Sequence, residues 1–183
     1  EVTIGRVSCG SVTISDSTSA GWVSLANGPL TLRCWWSTPA EARHDNDCIS
    51  TRKRVYIVLP EVFGVNAWVR SVADRLAAQG IPALAVPLFA RTAPELELGY
   101  ETSDLAQGRA HKDATTAQQI LSDVSAAVAW LQQRCPRAAI DLAGFCFGGH
   151  AALLAATLPP IRRSFDFYGA GVSRMRPGGG APS

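Results

Sequence analysis

One stretch constrains this chain more than any other. Ile140-Asp141-Leu142-Ala143 runs straight into Gly144-Phe145-Cys146-Phe147-Gly148-Gly149, and an apolar segment then continues to Leu158. The first run has strand length and the last has helical length, so six residues must turn a strand into a helix almost without a loop. Gly144 and Gly148 leave room where side chains would collide across so tight a turn. The pattern is that of a nucleophile elbow, G-x-S-x-G, with Cys in place of Ser. A helix starting there points its dipole and free N–H groups at the thiol, which favours thiolate. The N–H of Phe147 is placed to bind an oxyanion. A competing reading makes the small residues a close helix–strand crossing and Cys146 an inert small hydrophobe. The strand before and the helix after favour the functional reading.

The rest of the chain supplies a framework for that turn. Residues 1–50 read as an opening β-rich segment, in which Leu30, Leu32, Cys34 and Trp36 alternate onto one face. Residues 37–53 read as a polar surface loop. Val55–Leu59 is a continuous apolar run of the kind buried on both faces of a parallel sheet. A helix is predicted over 66–79, with Asn66 as N-cap, an inward stripe of Trp68, Val72 and Leu76, and Gly80 closing it. Ala83–Val86 reads as a short strand, followed by a long connection over roughly 89–114. A helix over 115–134 places Ile120, Val124, Val128 and Leu131 inward, and 164–168 reads as a strand. Strands alternating with helices imply an α/β fold with a mostly parallel sheet. The whole reads as a single domain over 1–183, ending in a Gly/Pro-rich tail over 172–183 that has no structure-forming pattern.

Composition narrows the function. Of 183 residues, 47% are hydrophobic and 17% charged, enough for a real core. A net charge of +2 gives no electrostatic case for nucleic acid or a membrane surface. No apolar run approaches the ~18–20 residues that span a bilayer. Cys9, Cys34, Cys48, Cys135 and Cys146 include no C-x-x-C pair, so neither a disulfide framework nor a zinc site is suggested. A reducing cytoplasm is the expected setting. No metal or organic cofactor is implied, since there is no ligand cluster and Gly148-Gly149 does not follow a phosphate-loop spacing. Composition does not set the oligomeric state.

Three segments together resemble the dienelactone hydrolase family, a branch of the α/β-hydrolases. They are Pro60-Glu61-Val62-Phe63-Gly64-Val65-Asn66, Leu88-Phe89-Ala90-Arg91, and the Cys elbow followed by Phe167-Tyr168-Gly169. The likeness covers roughly residues 50–171 and implies a three-layer α/β-hydrolase sandwich. It implies Cys146 as nucleophile on a lactone or ester carbonyl, and Glu61 beside the thiol, holding or receiving its proton. Backbone N–H groups of Val62 and Phe147 would form the oxyanion hole. Arg91 would bind a substrate carboxylate, and Tyr168 would line the substrate site. Each has a bland counterpart: Glu61 as a cap for the helix near Asn66, Arg91 as a solvated surface charge, Tyr168 as a core aromatic.

The family's acid and base have no counterpart at the expected places. A Cys nucleophile normally works with a His and an orienting acid. Only His150 follows Cys146, one helical turn on; His44 and His111 precede it. Asp166 follows the elbow but falls within a strand. The favoured expectation is a fragment, lacking its initiator Met and cut after the strand at 164–168, with little turnover of its own. The alternatives are a broad thiol esterase, or a degenerate domain that binds a ligand or partner.

Overall fold

The computed structural model describes residues 18–39 and 52–181. The rest of the β-rich opening segment, with Cys9, His44 and Cys48, lies outside the described residues. Within it, β1 (Thr18–Asn27) and β2 (Leu30–Pro39) form an antiparallel hairpin with Asn27 opposite Leu30. Leu32 and Cys34 are buried, and Leu30 and Trp36 pack beside them, as their alternation requires.

β3 (Arg54–Leu59), β4 (Ala83–Ala85), β5 (Ala139–Phe145) and β6 (Ile161–Phe167) run parallel. The six strands form one sheet in the order β1-β2-β4-β3-β5-β6, with β2 antiparallel to β4. β3 is apolar from Val55 onward because both its faces are covered. Val55, Ile57 and Leu59 join the core beneath α3 (Ala117–Arg134) and α4 (Phe147–Ala155). Val58 packs on the opposite face with α1 (Ala67–Ala78). This is the three-layer, mostly parallel architecture expected.

The ends of α1 are as predicted: Asn66 Oδ1 accepts the Val69 N–H at 3.2 Å, and Gly80 follows at φ 81°. Its buried face is shifted by one residue, to Val69, Ala73 and Ala77. The small alanines let the helix approach the sheet closely, which leaves Trp68, Val72 and Leu76 half-buried along its flank. α3 buries Ile120, Val124, Val128 and Leu131 as predicted.

Two expectations need correction. The connection over 89–114 contains a helix, α2 (Thr102–Asp113), opened by a reciprocal Glu101–Asp104 capping box. It was hidden because only Gly108 on it is buried, so it carries no apolar stripe. The tail also has a structural role: the Pro177 carbonyl accepts the Ala117 N–H at 2.8 Å, at the first turn of α3. No helix among the described residues is long and apolar enough to cross a membrane.

Candidate active site

Cys146 sits between β5 and α4 at φ 54° and ψ −115°, a conformation that L-residues rarely adopt. The surroundings fix it there. Its N–H donates to the Phe167 carbonyl at 3.0 Å, and its carbonyl accepts from Gly149 and Ala170, each at 3.0 Å. The glycines are required by space. A Cβ on Gly144 would lie 1.9 Å from the Gly148 oxygen, and one on Gly148 would lie 2.2 Å from the Leu59 oxygen. The crossing is close, as the bland reading held, and it leaves the thiol half-buried on a strained backbone.

Burial pushes the Cys146 thiol up; a hydrogen bond from the Phe147 N–H pulls it down, the Glu61 charge pushes it up, and Arg109 and Lys112 pull it down. The net direction is upward, so the resting thiol is protonated at neutral pH. The helix N-terminus alone predicted thiolate. Half-burial and a facing carboxylate outweigh it.

Glu61 is not the cap of α1, since Asn66 does that work. Its carboxylate is instead held between two phenols, accepting from Tyr100 Oη at 3.1 Å and from Tyr168 Oη at 3.4 Å. Desolvation pushes Tyr168 up to about 12, with the Glu61 charge next in effect and the Cys146 charge among the lesser causes. Tyr100 is pushed up by the same leading cause. Cys146, Glu61, Tyr168 and Tyr100 thus form one constellation. Tyr168 is 63% exposed and leaves β6 at φ 47°, so it is no core aromatic. Tyr100 carried no sequence signal; it reaches the site from the connection before α2, with its ring edge-on to Phe63 at 4.6 Å.

Phe147 is fully buried, and its backbone N–H is the group that pulls the Cys146 thiol down. Val62 is buried, and its carbonyl is pressed by α2: a Cβ on Gly108 would lie 2.3 Å from that oxygen. Arg91 is not brought to the thiol in the same way. Its Nη1 and Nη2 donate to the two Asp123 oxygens at 2.6 and 3.0 Å. Asp123 is fully buried and also accepts from Asn27 Nδ2 at 2.7 Å. This tie joins β1, the loop after β4 and α3.

The two described histidines lie against other groups. His111 Nδ1 lies 3.1 Å from Thr92 Oγ1, and the fully buried His150 places Nδ1 3.0 Å from the Ala170 carbonyl oxygen. Asp166 lies in β6 with its carboxylate against Gly149 and Gly169. Among the described residues no group of three or more His, Cys, Asp or Glu side chains could hold a metal ion.

Comparison with known proteins gives the chain's family. A carboxymethylenebutenolidase-type protein of Synechocystis is 40% identical over 130 residues, covering 70% of this chain and 53% of its own length. The carboxymethylenebutenolidase of Pseudomonas putida is 30% identical over 124 residues, covering 66% of this chain and 52% of the enzyme. The chain therefore spans about half the length of these relatives. The crystal structure of a dienelactone-hydrolase-type protein from Klebsiella pneumoniae superposes with a TM-score of 0.68 at 22% identity, covering 84% of this chain and 61% of that one. At that identity it shows the α/β-hydrolase fold alone. The family model described as the dienelactone hydrolase family matches residues 42–177, which include the elbow, Glu61 and both tyrosines, and the chain belongs to that family.

Proposed function

We propose that this protein is a lactone or small-ester hydrolase working through Cys146, and that the described residues hold its acylation machinery. The observation that carries the reading is the strained thiol at the elbow, hydrogen-bonded by the Phe147 N–H and faced by Glu61. In this reading Glu61 takes the thiol proton as substrate arrives. Cys146 Sγ then attacks the carbonyl carbon, and the developing oxyanion is held by the Phe147 and Val62 amides. The bond from the carbonyl carbon to the ring or ester oxygen breaks, that oxygen takes the proton held on Glu61 and leaves as the alcohol, and the resulting thioester is cleaved by water to the free acid. Tyr168 and Tyr100 keep the Glu61 carboxylate oriented. The relatives' carboxymethylenebutenolidase name supports a lactone as the carbonyl substrate.

Activating that water requires a base. We assign turnover to a protein of the relatives' full length, with the base supplied from outside the described residues. The experiment is hydrolysis of an unsaturated carboxylated lactone by that full-length protein. Cys146→Ala should lower kcat/KM by at least about 10³-fold. Unchanged hydrolysis in that variant would overturn the reading.

The Arg91–Asp123 tie favours a second reading, a thiol esterase of broad specificity, because it occupies the expected carboxylate ligand. Comparing an anionic lactone with a neutral ester separates the two.

A further inference from the structure

We infer that the outer edge of β6 is a self-association surface, on which a second copy of this chain pairs antiparallel about a two-fold axis through Phe165. The inference stands on the sheet and does not draw on the hydrolase reading.

β6 closes the sheet on one side: β5 lies along its inner edge, and no strand among the described residues lies along its outer edge. The backbone shows which groups are left over. The Phe167 carbonyl accepts the Cys146 N–H at 3.0 Å, so Phe167, and with it Phe165 and Arg163, turn their backbone groups toward β5. Ser164 and Asp166 therefore turn theirs outward, with no strand partner among the described residues. A row of such groups is a template for another strand unless proline, lysine or a bulge blunts it. β6 is blunted only at its start. Ile140 pairs with Ile161 and Asp141 with Arg163, which leaves Arg162 as the extra residue of a bulge. Residues 163–167 follow in regular register and contain neither proline nor lysine.

The side chains on this edge select the occupant. Ser164 Oγ donates to the Ala152 carbonyl at 2.8 Å and Asp166 lies against Gly149, so both face α4. Phe165 and Phe167 are exposed on the opposite face, stacked on Tyr56 and Phe145 at 6.2 and 4.9 Å. Arg163 joins them by alternation. The strand is thus basic at its start and carries Asp166 and two aromatic rings toward its end. Arg162, Arg163 and Asp166 take part in no ion pair among the described residues. An antiparallel second copy sets each basic start against the other chain's acidic and aromatic end. A two-fold axis normal to the sheet keeps each face with itself, so it passes through a residue. Through Arg163 it would set arginine on arginine. Through Ser164 it would rely on the bulged Arg162. Through Phe165 it sets Phe165 opposite the partner's Phe165 and Arg163 opposite the partner's Phe167, twice. The outward groups of Ser164 then exchange hydrogen bonds with those of the partner's Asp166. Aromatic pairs and arginine over an aromatic face are both favourable neighbours across strands.

Two measurements on the unaltered chain test this. Sedimentation velocity at rising concentration should show monomer passing to dimer and no further, because the pairing is closed. Residue-resolved amide exchange should slow at Ser164 and Asp166 by at least about tenfold as the dimer fills. Phe165, bonded to β5 in either state, should not respond. Two variants locate the axis. Phe165→Lys sets like charges opposite each other and should weaken dimerisation by at least about tenfold. Phe165→Cys should join two chains through position 165 under diamide, since residues opposite each other in a non-hydrogen-bonded pair have Cα atoms about 4.5 Å apart. Ser24→Cys, exposed on β1 at the other edge of the sheet, should not. A chain that stays monomeric at every concentration would overturn the inference. So would a dimer in which exchange at Ser164 and Asp166 ignores concentration, or one that Phe165→Cys does not link. The exchange result decides the matter even if Phe165→Lys fails to fold.

Discussion

Cys146 is balanced between opposing pulls, and Glu61 is the one a single substitution can remove cleanly. Its charge raises the thiol, so Glu61→Gln should lower the thiol's pKa and increase the thiolate present at pH 7. Alkylation by iodoacetamide rises with pH as thiolate forms. In the wild type that rise should lie above the ordinary thiol range, and in Glu61→Gln it should move down. Labelling at pH 7 should then accelerate about threefold to tenfold; no change would show that Glu61 does not act on the sulfur. The glycines at the turn make a steric prediction. Gly148→Ala drives a Cβ against the Leu59 and Pro60 carbonyls, and backbone cannot yield as a flexible side chain does. It should cost about 2–3 kcal/mol in urea unfolding. Cys146, Glu61 and Phe147 were legible because their relation is set by short spacing around two strand ends. Tyr100 was not, because packing rather than sequence proximity brings it to Glu61.

The helix α2 shows why that was so. Apolar periodicity finds helices that bury a stripe, and α2 buries only Gly108, where the absence of a side chain is the point. Gly108→Ala should lift α2 off Val62, slowing Cys146 acylation while leaving far-UV helicity nearly intact. Equal acylation rates would mean that α2 does not position the site. The buried face of α1 was misjudged by one residue for a related reason: Ala73 and Ala77 gain by closeness, a preference that bulk hydrophobicity does not rank. Arg91 makes the third case. The motif suggests a substrate ligand, and the fold pairs its guanidinium with Asp123 of α3, which also accepts from Asn27 of β1. Arg91→Ala would leave Asp123 with Asn27 and no cation. Because the arginine side chain is 31% exposed, the full cost of a broken buried pair is discounted, to about 1–3 kcal/mol. Urea unfolding measures this.

At the scale of the molecule, the sheet was readable because β3 from Val55 onward and β5 apart from Asp141 are apolar and end at Pro or Gly, and such strands have few other homes. The coverage of the sheet was less readable. α1 packs on β2, β4 and β3, and beside it a groove of about 270 Å³ remains, lined by Tyr56, Val72, Leu76, Ala143, Phe145, Phe165 and Phe167. Phe165 and Phe167 are 39% and 44% exposed. An apolar dye should bind this native chain, and Phe165→Ser should weaken the signal without loss of secondary structure. All of this surrounds a single chemical claim, that Cys146 accepts the acyl group. The most direct test mixes the 183-residue chain with excess p-nitrophenyl acetate at mildly alkaline pH and records both the nitrophenolate burst and the intact mass. The account predicts one acetyl group per chain on Cys146, released slowly, with the burst gone in Cys146→Ala. A burst that survives that substitution, or no acylation of Cys146 at any pH at which the fold persists, would contradict it.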